Sequence, residues 1–575
     1  MTFRARAIAF TLLTAALSSA APARTAAVPT YDTLLKGGTI YDGMGGAAVV
    51  GDVAIRGDRI VYVGPKAPGT ARNTVDAKGL AVAPGFINML SWAVESLIAD
   101  GRGLSDIRQG VTLEVFGEGD SFGPMTPEMK RLAVDRQSDV KYPIAWNSLA
   151  EYLDWLTKRG IAPNVASFIG ATTVRANVLG EEDIDPTPAQ VLQMRGLVAK
   201  AMRDGAIGVG SSLIYAPASY AETPELIALV DEVGRCDGLY ISHMRSEGDR
   251  LIEAIDELIE ISRKTGARAE IYHFKQAGKD NWPKIDAAIA RVEAARKAGL
   301  KITADMYPYT IAGSGLDASM PTWVQSGGLE KWIERMKDPK IRARLVDEIG
   351  KPGIGWENMY LASGGADGLI AVGFKSEKLK PLTGKTITEI AAMRHTSPIE
   401  TMMDLVIEDG SRVGIIYRIM DEANVARAVA LPWMSFGSDA DAQAPEGPFL
   451  KSRPHPRAYG TFARVVGHYA RDEGRMPMAE AIRRMTSLPA ANLGIRERGR
   501  LATGYHADIA VFDPKTFVDR ATVQQPQAFA TGMQSVYVNG KAVLLNGEPT
   551  ANRPGQVVRG PGWTGWPGGG ACRKR

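Results

Sequence analysis

Two short apolar runs, each closed by a histidine and set thirty residues apart, constrain this chain more than any other feature: Gly238-Leu239-Tyr240-Ile241-Ser242-His243 and Ala269-Glu270-Ile271-Tyr272-His273. Between them, Leu251 to Thr265 carries apolar residues at helical spacing and runs into Gly266, the residue type that closes helices in the left-handed conformation. The order is strand, helix, strand. A right-handed crossover of that size makes the two strands parallel neighbours, so both histidines face the same mouth of a barrel and are placed to share a metal ion. The chain has only six histidines, and two at corresponding strand ends point to a site rather than to two unrelated backbone-bonded side chains.

The alternation continues on either side. TLEVFG, NVASFIG, AIGVGS, KITADMYPY and WMSFGSD read as strands, separated by helical text such as that from Glu128 onward and from Gln190 to Arg203. Repeated βα units of this kind predict an α/β fold, a (β/α)8 TIM barrel over residues 83–499. Short, turn-broken strands at 24–82 and again at 500–558 predict a small β-sandwich built from both chain ends, which a doubly wound sheet would not explain. From about Asp317 to Ser363, Trp, Pro and charged helical sequence interrupts the pattern and predicts an insert over the barrel mouth.

Composition narrows the class of partner. A formal charge of +4 on 575 residues, with no basic run interleaved with aromatics, argues against nucleic acid and predicts little else. Residues 1–23 read as a secretory signal: Arg4 and Arg6, an apolar stretch from Ala7 to Leu17, then small residues with cleavage after Ala20 or Ala23. The expected location is periplasmic or secreted, with no membrane span after cleavage, because no later stretch reaches spanning length. Only Cys236 and Cys572 occur, and Cys572 lies in a Gly/Trp-rich tail (559–575) expected to be disordered, so no structural disulfide is expected.

Several phrases together carry a family signature: Ala83-Pro-Gly-Phe-Ile87, Gln109-Gly-Val-Thr112, Gly205-Ala-Ile-Gly208 with Leu213-Ile-Tyr215, Ser242-His243-Met-Arg245, His273-Phe-Lys275, Asp305-Met-Tyr-Pro-Tyr309, Gly437-Ser-Asp439 and Pro454-His-Pro-Arg457. The chain resembles the amidohydrolase superfamily, and within it the D-aminoacylase (N-acyl-D-amino-acid deacylase) family, over nearly its whole mature length. It also departs from that family. Where the first barrel strand should carry a metal-binding His-x-His pair, this chain has Leu90 and Trp92; Ala171 stands where a histidine is common; and the cysteine ligand after the second strand is replaced by Gly117-Glu118-Gly119-Asp120.

Without the first pair, a standard two-metal site is ruled out and a single divalent ion remains, since one ion needs only about three protein ligands and an open position for water. Glu118, His243 and His273 are the expected ligands and zinc the expected ion. Glu118 is preferred to Glu114 because functional groups of this fold sit at the carboxyl ends of strands, with Asp120 in reserve. The resemblance makes Asp439 the general base and assigns Lys275, Tyr307 and Arg457 to the substrate's carboxylate or carbonyl. Asp305, His395, His455, His468 and His506 read as structural, and Leu90 and Trp92 are expected to point into the barrel and fill the space of the absent ligands. The activity implied is metal-dependent cleavage of a C–N amide bond in an N-acyl amino acid or small peptide-like compound. The alternatives are a hydrolase of cyclic amides, lactams or carbamates, and a metal-free pseudoenzyme that only binds.

Overall fold

The computed structural model describes residues 1, 2 and 30–573, so the expected secretory signal lies almost wholly outside the described residues. Among those residues, eight parallel strands make the barrel: Phe86–Asn88, Val111–Phe116, Asn164–Ser167, Gly208–Ser212, Leu239–His243, Arg268–Ile271, Ile302–Met306 and Met434–Phe436. They are hydrogen-bonded in two arcs, and the third strand continues as Ile169–Gly170 to begin the second arc. The ring closes where Met89 N donates to Phe436 O at 3.2 Å and Ser91 bridges Ala440.

The unit holding the two histidines shows why the sequence folds this way. The intervening helix, Leu251–Thr265, buries Leu251, Ala254, Ile255, Leu258, Ile259 and Ile261 along one stripe and ends at Gly266, which sits at φ 69°. That packing returns the chain in register, Leu239 opposite Arg268 through Ser242 opposite Ile271, as a parallel pair. Both histidines therefore arrive at the same end of the barrel.

Strands from the two chain termini join in one nine-stranded sheet, with Ala81–Pro84 pairing Ile509–Phe512 at the seam. The two faces expected of a sandwich are thus continuous, enclosing Leu35, Ile40, Val53, Ile60, Val82, Ile509 and Val511. The interruption expected at 317–363 is only part of a larger unit. Antiparallel strands Ile311–Gly315, Gly414–Arg418 and Leu369–Gly373, with the helices between them, surround a separate core that includes Leu316, Met320, Trp332, Leu345 and Met402. Residues 364–418 alternate strand and helix as barrel units do, and only the antiparallel pairing sets them apart.

Two expectations about the C-terminus are corrected. Cys236 and Cys572 form a disulfide, and the tail through residue 573 is laid against the floor of the barrel. Gly555 N donates to Ile161 O at 2.8 Å, Val558 N to Val165 O at 2.8 Å and Gly560 N to Gly205 O at 2.9 Å, while the Arg496 guanidinium lies 4.4 Å from the Trp566 ring. These are mostly backbone contacts to a floor that exists only after the barrel has folded, so the Gly-rich text reads as disordered in isolation. Replacing Cys572 with Ser is expected to expose the tail to limited proteolysis and to lower Tm by a few degrees, with turnover at the opposite end unchanged. No helix among the described residues is long and apolar enough to cross a membrane.

Candidate metal centre

The expected ligands all lie at or just past the carboxyl ends of strands. Glu118 follows the second strand between Gly117 (φ 110°) and Gly119 (φ 75°), and a Cβ on Gly119 would come within 2.5 Å of the Ser212 Cβ. Only glycine lets this loop turn its carboxylate inward so close to the fourth strand. His243 ends the fifth strand, and His273, at φ 34°, stands beyond the sixth, where Asp305 Oδ1 accepts its backbone N–H at 2.9 Å. Asp305 thus holds the backbone of His273 in place.

The three side chains converge. Glu118 Oε1 lies 3.0 Å from His243 Nδ1 and 2.8 Å from His273 Nε2, and one ligand atom from each residue falls within 4.8 Å of the others. All three are buried, and the imidazole rings meet edge to face at 4.4 Å. Glu114 faces away, accepting from Asn88 Nδ2 at 2.9 Å, so Glu118 is the carboxylate in the mouth. Asp120 is not in the cluster; burial pushes its carboxyl up to about 6.

The donor set suits a divalent cation. Burial alone would raise the pKa of Glu118, but the His273 and His243 imidazoles outweigh it and hold the carboxyl well below its usual range. Burial and the Lys275 ammonium oppose a charge on His273, yet Glu247 and Glu118 push it up to about 10. The carboxylates that favour a proton on His273 also favour a metal cation, which would take that proton's place on the imidazole. His243 Nε2, moreover, is buried and makes no hydrogen bond.

Glu247 was missed by the sequence reading. Its Oε1 lies 2.9 Å from His273 Nδ1 and accepts from Lys275 Nζ at 2.5 Å, which gives His273 the carboxylate partner that orients metal-binding imidazoles. The available signal was its position four residues after His243, within the same loop. Glu247→Gln is expected to weaken zinc affinity by about 10–100-fold, measured by competition with a chromophoric chelator.

Asp439 stands beyond the last strand at φ 49°, its Oδ1 accepting from Trp92 Nε1 at 3.0 Å and its Oδ2 2.9 Å from Arg457 Nη1. Burial raises its pKa from the ordinary aspartate value, with Arg457 opposing. The Arg457 guanidinium lies 4.4 Å from the Tyr307 ring centroid, and its buried Nε and Nη1 make no aligned hydrogen bond. Lys275 is already engaged by Glu247 and lies 2.7 Å from His273 Nδ1, so of the three residues expected to bind substrate it is the most committed to the protein. His455 is near the site but structural: Nδ1 accepts from Arg457 N and Nε2 contacts Ile311 O, both at 3.0 Å. Trp92 points into the mouth, its indole also donating to Glu118 Oε2 at 3.0 Å, and Leu90 is buried inside the barrel among Ile87, Leu113, Ile241 and Tyr272.

The amidohydrolase family profile matches residues 140–544. D-aminoacylase of Alcaligenes xylosoxydans xylosoxydans is 33% identical over 529 residues, spanning 92% of this chain and 97% of that protein. The solved N-acyl-D-glutamate deacylase of Bordetella bronchiseptica, in complex with zinc and a phosphonate that mimics the tetrahedral intermediate, superposes with a TM-score of 0.77 at 28% identity, over 92% of this chain and all of that one. A solved D-aminoacylase described as having a binuclear centre, activated by one metal and attenuated by the second, gives a TM-score of 0.76 at 31% identity over the same 92% and all of its own chain. This chain belongs to the amidohydrolase family, as a D-aminoacylase-like hydrolase of carbon–nitrogen bonds other than peptide bonds.

Proposed function

We propose that the protein hydrolyses N-acyl-D-amino acids or closely related small amides with a single zinc ion held by Glu118, His243 and His273. The observation that carries this reading is the meeting of those three ligand atoms within 4.8 Å. Leu90 and Trp92, at the positions of the family's first-strand pair, offer no ligand atom for a second ion. When bound, the ion supplies Lewis acidity toward the amide carbonyl and toward water.

The chain's own residues do the rest. Asp439 accepts a proton from the attacking water and returns it to the leaving nitrogen, a task that its raised pKa favours. Arg457, whose Nη1 faces Asp439 Oδ2, keeps a buried Nε without a hydrogen-bond partner beside Tyr307, a donor that suits a substrate carboxylate. Lys275, with two of its three donors facing Glu247 and His273, has one left for the substrate. Export to the periplasm or beyond is part of the proposal, supported by the N-terminal text and by a disulfide of the kind that persists in oxidising compartments.

Amine release from matched N-acetyl-D- and N-acetyl-L-amino acids tests the substrate class. Hydrolysis confined to the D-series supports it. Turnover of hydantoins or lactams with no release from any N-acetyl-D-amino acid contradicts it.

A further inference from the structure

We propose that the Trp92 side chain takes the place of a second ion's ligand, leaving the centre at one ion, and that its indole N–H is a positioning donor that holds the Asp439 carboxylate beside Glu118. The inference rests on the roles given above to those two carboxylates.

Trp92 Nε1 lies 3.0 Å from Glu118 Oε2 and 3.0 Å from Asp439 Oδ1. An indole has one N–H and no acceptor, so a single proton is shared between two carboxylates that would otherwise repel each other. The remaining oxygens are divided cleanly: Glu118 Oε1 faces the two imidazoles, and Asp439 Oδ2 faces Arg457 Nη1 at 2.9 Å. Each carboxylate thus has one oxygen for its own partner and one on the tryptophan.

The donor is held rigidly. Trp92 N donates to Ala440 O at 3.0 Å, Asp439 N to Leu90 O at 2.8 Å and Ser91 N to Val115 O at 2.9 Å. The segment bearing the indole is therefore laced to the two segments bearing the carboxylates. Leu90 fills the barrel below, 1% exposed, and offers no ligand atom to an ion. A fixed N–H dipole lowers the mutual repulsion of the carboxylates, and unlike a bound ion it cannot exchange with solvent.

Trp92→Phe keeps an aromatic ring and removes the donor. Zinc titration of the metal-free protein is expected to give one equivalent for both parent and W92F, with Tm close to the parent. On an N-acetyl-D-amino acid that the parent hydrolyses, kcat of W92F falls about tenfold to hundredfold, the cost of losing a hydrogen bond to charged groups, while KM stays within about twofold. A crystal structure of W92F is expected to show the Asp439 carboxylate turned away from Glu118. The L90H/W92H double variant is expected to take up a second equivalent of zinc. These outcomes separate the two readings, because metal counting and the Asp439 geometry need no substrate. If W92F keeps the parent kcat with Asp439 unmoved, or if folded L90H/W92H still binds one equivalent, the indole is only packing and the proposal is wrong.

Discussion

Replacing His273 or His243 with alanine is expected to remove both the bound metal and the activity, with kcat/KM falling by about three powers of ten or more, the equivalent of the several kcal/mol that metal polarisation supplies. Each histidine is one of only three ligand atoms in the cluster, so its loss leaves two, too few for a tight site. His273→Ala should be the more disruptive, because it removes a buried partner from both Glu247 and Glu118, whereas His243 lies within hydrogen-bond distance of Glu118 alone. His395, exposed at the end of a helix, serves as the control: His395→Ala should leave metal content and turnover unchanged. Metal content and kinetics measured on the same preparations decide the matter, and a metal-free His273→Ala protein with parental activity would refute the assignment.

Asp439→Asn is expected to lower kcat by about two to four powers of ten while leaving one metal ion bound. Asparagine keeps the shape, so its amide oxygen can still accept from Trp92 and the turn at φ 49° can persist, but it cannot take up a proton. Histidine variants should lose metal and rate together; the aspartate variant should lose rate alone. Near-normal turnover by Asp439→Asn, or loss of its metal, would show that this residue does not move protons in the way proposed.

Much of this was legible in the sequence because it depends on local patterns. The helix from Leu251 to Thr265 and its closing glycine stand in the text as they do in the structure, and strand-end placement follows from them. Glu118 was legible from its place at the carboxyl end of the second strand, where functional groups of this fold sit. Glu247 was not, because its importance comes from a pairing with His273 and Lys275 that spans two βα units. The disulfide and the ordered tail were hidden for a similar reason: Cys572 is 336 residues from Cys236, and its partner surface is made by the floor of the folded barrel. The full extent of the insert was obscured by strand and helix text of the same texture as the barrel's own.

The account stands most directly on the number of ions in the centre. Elemental analysis of protein purified without chelators, after dialysis against metal-free buffer, is predicted to find one equivalent of zinc per chain, lost in His243→Ala and His273→Ala and kept in Asp439→Asn. Two equivalents in the parent, or a parent that hydrolyses its amide substrate with none, would contradict it.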